Sequence, residues 1–100
     1  MTPPGHSMRG PADELMACRN AIEVVDRRIV ALLAQRVALG LRAATAKREA
    51  GLPMVDPARE AEVMANVVAA AGEQGLPADP VRELFQRIVA MSRRAQEDAR

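Results

Sequence analysis

The chain has 100 residues, of which 49% are apolar and 27% are charged, and its formal net charge is +1. This balance excludes the strong basic bias of a protein that binds phosphate backbones. Phe85 is the single aromatic residue, which also excludes an aromatic stacking platform for single strands. We therefore expect no nucleic-acid partner.

Residues 1–12 are predicted to be a disordered lead, because three prolines and two glycines interrupt the first eleven positions. The first ten residues lack the apolar stretch of a signal peptide, and no run approaches the ~20 apolar residues of a membrane span. Cys18 is the one cysteine and His6 the one histidine, so one chain offers neither a disulfide nor a usual zinc site. We expect a cytoplasmic protein with no membrane partner and no metal.

The next segment, up to Gly51, is predicted to be one very long helix. Its apolar residues recur every seven positions in two interleaved series. One series is Leu15, Ile22, Ile29 and Ala43, and the other is Cys18, Val25, Leu32 and Leu39. A helix of roughly 37 residues is about 55 Å long, whereas a compact domain of this size has a radius of gyration of about 13 Å. We therefore expect a second chain to cover the apolar face.

Local signals support this helix. Asp13 and Glu14 fall in its first turn and Lys47 and Arg48 near its end, where the helix dipole favours acids and bases respectively. Gly40 weakens the helix by roughly 1 kcal/mol relative to alanine. We interpret this glycine as a site of close helix packing and not as a break.

A second, shorter helix is predicted after the Gly51-Leu52-Pro53 stop. Asp56 is its predicted N-cap, with Pro57 at the first helical position. Val63, Val67 and Ala71 mark its apolar face. Gly72 and Gly75 are expected to end it.

The third helix is predicted to begin with the same Asp-Pro device at Asp79 and Pro80. Its apolar stripe is formed by Val81, Leu84, Phe85, Ile88 and Met91. The predicted fold is all-α: residues 13–100 form one domain of three helices, one very long and two shorter.

Arg36 occupies the position in the first apolar series where a nonpolar residue should recur. A guanidinium there costs several kcal/mol unless an anion meets it, although it could also snorkel or pair with a partner chain. Lys47 lies about 20° around the axis and ~16 Å along it, so both side chains could reach one small ligand. Arg19 is ~25 Å from Arg36 and could reach that ligand only from a second chain.

Two further groups of polar residues are candidates. Ser92 and Gln96 continue the apolar stripe of the third helix at i+4 spacing and could contribute polar groups to a site. Alternatively, the stripe simply becomes polar near the end of the helix. Asp56, Arg59 and Glu60 fall within about one helical turn and could contribute to one site. Alternatively, Arg59 and Glu60 are ordinary charged residues on the exposed surface of the helix. Together these residues suit a small dianion with a hydroxyl group. They provide no cysteine or histidine nucleophile and no metal triad, so we expect no cofactor.

The order of these residues resembles the all-helical (AroQ) class of chorismate mutases over about residues 13–97. The matching pattern is Arg19, LLAQR ending at Arg36, TAK ending at Lys47, VDPARE at 55–60 and SRRAQ at 92–96. The resemblance implies an intertwined homodimer with two sites, each completed by an arginine from the other chain. It also implies the Claisen rearrangement of chorismate to prephenate, without a cofactor, in phenylalanine and tyrosine synthesis.

By this resemblance, Arg36 and the other subunit's Arg19 would bind the substrate carboxylates as bidentate forks. Lys47 would contact both a carboxylate and the ether oxygen of the breaking bond. Gln96 would donate to that oxygen from the other side, and Ser92 would assist a carboxylate.

At the other end of the substrate, Glu60 and the backbone near Asp56 would form hydrogen bonds with the ring hydroxyl. Arg59 would hold the carboxylates of the two acids in position. Two sister activities remain open, isochorismate-pyruvate lyase and 4-amino-4-deoxychorismate mutase. The two acids disfavour the lyase, but they could equally meet an ammonium group. A helical dimerisation module without catalysis is the alternative of a different class.

Overall fold

The computed structural model describes residues 10–99. Within that range the chain forms three α-helices: α1 (Pro11–Ala50), α2 (Pro57–Glu73) and α3 (Ala78–Asp98). This confirms the prediction of an all-α chain with one very long and two shorter helices. The structure divides into two compact units between Leu33 and Ala34, within α1.

Helix α1 begins at Pro11, before the predicted domain boundary at residue 13. Proline suits the first helical position, because its missing N–H would have no partner there. The N–H groups of Asp13 and Glu14 donate to the carbonyl oxygen of Gly10 at 3.1 and 3.2 Å. The rest of the predicted disordered lead, with His6, lies outside the described residues.

The end of α1 is a glycine-dependent stop, as predicted. Gly51 has φ of +68°, and the N–H of Leu52 reaches back to the carbonyl oxygen of Lys47 at 2.9 Å. This 6→1 hydrogen bond with a left-handed residue is the Schellman arrangement. Gly75, with φ of +71°, ends α2 in the same way.

Helix α2 begins as predicted and ends slightly later. The carboxylate of Asp56 accepts a hydrogen bond from the N–H of Arg59 at 3.1 Å, and Pro57 is the first helical residue. Gly72, one of the two glycines predicted to stop the helix, is instead inside its last turn. The stop falls to Gly75 because that residue adopts the positive φ that favours glycine.

The predicted start of α3 is wrong. Pro77 is the N-cap residue, with extended backbone angles and no capping side chain, and the helix begins at Ala78. Asp79 therefore lies inside the first turn, where its carboxylate pairs with Arg82 at 2.5 Å and meets the favourable end of the helix dipole. Pro80 is tolerated because the first turn leaves N–H groups without helical partners.

The unit that begins at Ala34 contains the most buried side chains among residues 10–99. They are small, and one comes from each helix: Ala44, Ala71 and Ser92. Small residues at these points allow the helices to approach closely. The last turns of α1, together with α2 and α3, thus form the packed part of the described chain.

The unit that ends at Leu33 has a different surface. Every residue from Pro11 to Leu32 is exposed. The apolar residues of the predicted face are each about half exposed: Leu15, Ile22, Val25, Ile29 and Leu32. Within the described residues nothing covers this apolar face.

One stretch of 18 residues in α1 has a mean hydropathy of 1.4, and by length and composition alone it could cross a membrane. The expectation that no run approaches a membrane span is therefore corrected. The observation is weak evidence for a membrane, because a core helix of a soluble protein meets the same criterion. Helix α1 also carries Arg36 and Lys47, whose charges are expensive in a lipid environment.

Candidate active site

Side chains of the three helices line an open cavity of about 370 Å³ in the unit that begins at Ala34. This volume falls within the range of small-molecule sites. Its polar lining residues are Arg36, Lys47, Asp56, Arg59, Glu60, Ser92, Arg93 and Gln96. Seven of the eight sequence-predicted site residues therefore line one cavity.

Helix α1 supplies the cavity with two cations, Arg36 and Lys47, and both are half-buried. Lys47 Nζ donates to the carbonyl oxygen of Met54 at 3.3 Å. This bond ties the ammonium group to the connection between α1 and α2. The position of Arg36 explains why an arginine interrupts the apolar series, since its side chain reaches a polar cavity.

Helix α3 supplies Ser92, which is only 5% exposed, and Gln96, which is half-buried one turn later. They are therefore part of the packed structure and not the fading end of an apolar stripe. Gly40 lies directly opposite: a Cβ added there would overlap Ser92 Oγ and lie 3.1 Å from Gln96 Nε2. The interpretation of Gly40 as a site of close helix packing is confirmed.

Helix α2 supplies Asp56, Arg59 and Glu60 from its cap and first turn. The side chain of Arg59 pairs with Glu62 at 2.6 Å on the same helix. It contacts Asp56 only through its backbone N–H. In this structure the Arg59 side chain therefore pairs with Glu62, and its predicted role of supporting the two acids stays a prediction.

Arg93 is a cavity residue that sequence reasoning missed. It forms an ion pair with Glu60, which joins α3 to the first turn of α2. A signal was present, because position 93 lies four residues after Val89 and three before Gln96, which are both cavity residues. The apolar stripe that predicts the packed face of α3 does not include position 93.

The charges around the cavity favour an anion. The described residues that line it include four cationic side chains, Arg36, Lys47, Arg59 and Arg93, and two carboxylates, Asp56 and Glu60. The formal sum is +2. A cleft with one predominant sign of charge concentrates ligands of the opposite sign, so this cavity suits a small molecule with two negative charges.

Arg19 is the one predicted site residue that the structure does not bring to the cavity. It lies in the N-terminal unit of α1 and is exposed. Cys18 beside it is also exposed, and its Sγ donates to Glu14 Oε1 at 3.5 Å. The assignment of Arg19 to the site of a second chain stays a prediction.

Comparison with known proteins identifies the family. The model of chorismate mutase type II matches residues 18–97. A T-protein of Enterobacter agglomerans is 33% identical over 85 residues, and a bifunctional chorismate mutase/prephenate dehydratase of the same organism is 32% identical over 79 residues. These matches cover 85% and 79% of this chain but only 23% and 20% of the two relatives. This chain belongs to the chorismate mutase type II family.

Proposed function

We propose that this chain catalyses the rearrangement of chorismate to prephenate. The observation that carries the proposal is the cavity itself, which is lined by two cations of α1, the hydroxyl and amide of α3 and the acids of α2. Chorismate has two carboxylates and one ring hydroxyl. Its charge therefore complements a cavity lining with a formal sum of +2.

The cations hold the two substrate carboxylates. Arg36 offers a planar fork that binds a carboxylate bidentately, and Ser92 adds a hydroxyl donor from α3. Lys47, tethered to Met54, supplies a compact charge on the same side. Fixing both carboxylates holds the flexible enolpyruvyl chain above the ring, which lowers the entropic part of the barrier.

The reacting oxygen is stabilised by two donors. As the ether bond breaks, negative charge grows on its oxygen, and Lys47 and Gln96, which both line the cavity, would donate to it. Donors that are in position before the reaction stabilise the transition state without reorganisation. The rearrangement is unimolecular, so it requires no nucleophile from the protein.

The acids of α2 recognise the ring hydroxyl. The carboxylate of Glu60 would accept a hydrogen bond from this hydroxyl, and a backbone N–H near Asp56 would donate one to it. These residues therefore orient the ring while the cations orient the side chain.

We further propose that the working enzyme is a homodimer in which Arg19 reaches the cavity of the other subunit. The support is the apolar face of the N-terminal unit, whose side chains are each about half exposed in one chain: Leu15, Ile22, Val25, Ile29 and Leu32. Contiguous apolar surface of this kind marks an interaction surface. An equivalent face on a second copy would cover it, since dimers with twofold symmetry use the same patch twice.

The test is to follow chorismate loss and prephenate formation with purified protein, and to repeat the assay with isochorismate. We expect catalysed conversion of chorismate to prephenate and no pyruvate release from isochorismate. Pyruvate release would establish the lyase alternative. No turnover of either substrate by a folded protein would contradict the proposal. Turnover of the amino analogue alone would then establish 4-amino-4-deoxychorismate mutase activity, and no turnover of all three compounds would favour a helical dimerisation module.

A further inference from the structure

We infer that Arg93 is a specificity-determining residue, which holds Glu60 in an ion pair and thereby selects a hydroxyl over an ammonium group on the substrate ring. This inference rests on the proposed function, because it concerns the same cavity. Both residues line that cavity, and their ion pair connects α3 to the first turn of α2.

The ion pair changes what Glu60 can bind. A carboxylate has about four lone-pair sites, so the oxygens of Glu60 can accept from Arg93 and still accept from a ring hydroxyl. The guanidinium, however, offsets the negative charge of Glu60. An incoming ammonium group would gain less attraction from this carboxylate and would meet repulsion from Arg93, whereas a neutral hydroxyl would meet no such penalty.

The second acid of this region is not changed by the loss of Arg93. The carboxylate of Asp56 accepts the N–H of Arg59 as the cap of α2 and keeps its negative charge with and without Arg93. Without Arg93, the full charge of Glu60 would add to that of Asp56 in attracting a cation at the ring end. The preference of the site for a ring hydroxyl over a ring ammonium group therefore depends on the ion pair between Arg93 and Glu60.

A merely structural role for this ion pair is a poor alternative. The side chains of Arg93 and Glu60 are 47% and 41% exposed, and ion pairs exposed to this degree contribute little to stability because water and salt screen them. Removing Arg93 should therefore leave the melting temperature nearly unchanged. Its main effect should be on substrate choice.

The experiment compares kcat/KM for chorismate with kcat/KM for its amino analogue, in which an ammonium group replaces the ring hydroxyl. In Arg93→Gln we expect the ratio of amino analogue to chorismate to rise by about two- to fivefold over the unsubstituted enzyme, the size of a pairwise charge effect that water and salt partly screen. Arg93→Lys should retain the original ratio because it keeps the charge. Arg94→Gln, a neutral exchange at the adjacent exposed position outside the cavity lining, should also retain it.

Glu60→Gln provides an independent variant should Arg93→Gln fold poorly. It leaves Arg93 without its carboxylate, so the ratio should fall below that of the unsubstituted enzyme. An unchanged ratio in folded Arg93→Gln, or an equal rise in Arg94→Gln, would overturn the inference while leaving the proposed function intact. An unsubstituted enzyme that converts neither compound would instead contradict the proposed function.

Discussion

The two parts of α1 have different surroundings. Up to Leu32 every side chain is exposed. Beyond Ala34 a residue of the apolar series such as Leu39 is exposed as well, but the helix also contributes Ala44 to the packed core and Arg36 and Lys47 to the cavity. A period predicts which face of a helix is apolar, but it does not predict what covers that face. Arg36, the cationic residue within the apolar series, lies near the start of the part of α1 that lines the cavity.

The largest expected effect comes from charging the uncovered part of α1. Ile29→Asp would place a carboxylate in the proposed subunit interface, at about 3 to 5 kcal/mol for an unpaired buried charge. We expect light scattering to show monomers and the chorismate assay to show near-complete loss of activity. Arg27→Asp, on the opposite side of the helix, should remain dimeric and active. A fully active, dimeric Ile29→Asp enzyme would contradict the proposed interface.

The cations of the cavity come next. Arg36→Ala and Lys47→Ala should each lose about 2 to 4 kcal/mol of transition-state stabilisation, the size expected when one electrostatic donor is removed. The measurement is kcat/KM for chorismate, with circular dichroism to confirm folding. Arg42→Ala is the matched control, because Arg42 is exposed on the same helix and is not part of the cavity lining. Near-normal turnover in either cavity variant would refute the assignment.

A smaller effect is expected where α1 and α3 approach each other. Gly40→Ala would force a methyl group against Ser92 and Gln96, with a cost of about 1 to 3 kcal/mol for overpacking. Activity should fall with stability, since both contacted side chains line the cavity. Gly72→Ala is the control, because nothing lies within 4 Å of its added Cβ, and alanine favours a helix by up to about 1 kcal/mol. Equal behaviour of the two variants would show that Gly40 has no packing role.

The smallest effect concerns pH. Gln96 is neutral and donates without taking up a proton, so kcat/KM should stay nearly constant between about pH 6 and 8. In Gln96→Glu the new carboxyl group can donate only when it is protonated. The activity of this variant should therefore fall as the pH rises above about 4.3, the ordinary pKa of a glutamic acid side chain. A steep loss in the unsubstituted enzyme over the same window would contradict the role of Gln96.

Local signals were sufficient to predict most of the fold. The Asp56 cap and the stop at Gly51 depend on a few neighbouring residues, so the sequence alone identifies them, whereas Gly72 and Gly75 could not be told apart as the stop of α2. At the start of α3, the Asp-Pro pair predicts an N-cap at Asp79, whereas the N-cap residue is Pro77, which has extended backbone angles and no capping side chain. Aspartate is also favourable inside a first helical turn, so this local signal does not fix the first residue of the helix.

The candidate site was predictable where residues shared one helix face. Arg36 and Lys47 on α1, and Ser92 and Gln96 on α3, follow from helical spacing alone. The ion pair of Arg93 with Glu60 does not, because it depends on how α2 and α3 pack. Side-chain partners between helices were therefore the part that the sequence pattern could not reveal.

The most direct test of a site shared between two chains is to mix two inactive variants, Arg19→Ala and Arg36→Ala, after unfolding and refolding them together. Each mixed dimer would contain one site with both substitutions and one site with neither, so a statistical mixture should regain about a quarter of the unsubstituted activity toward chorismate. Activity no higher than the average of the two separate variants would contradict a site built from both chains.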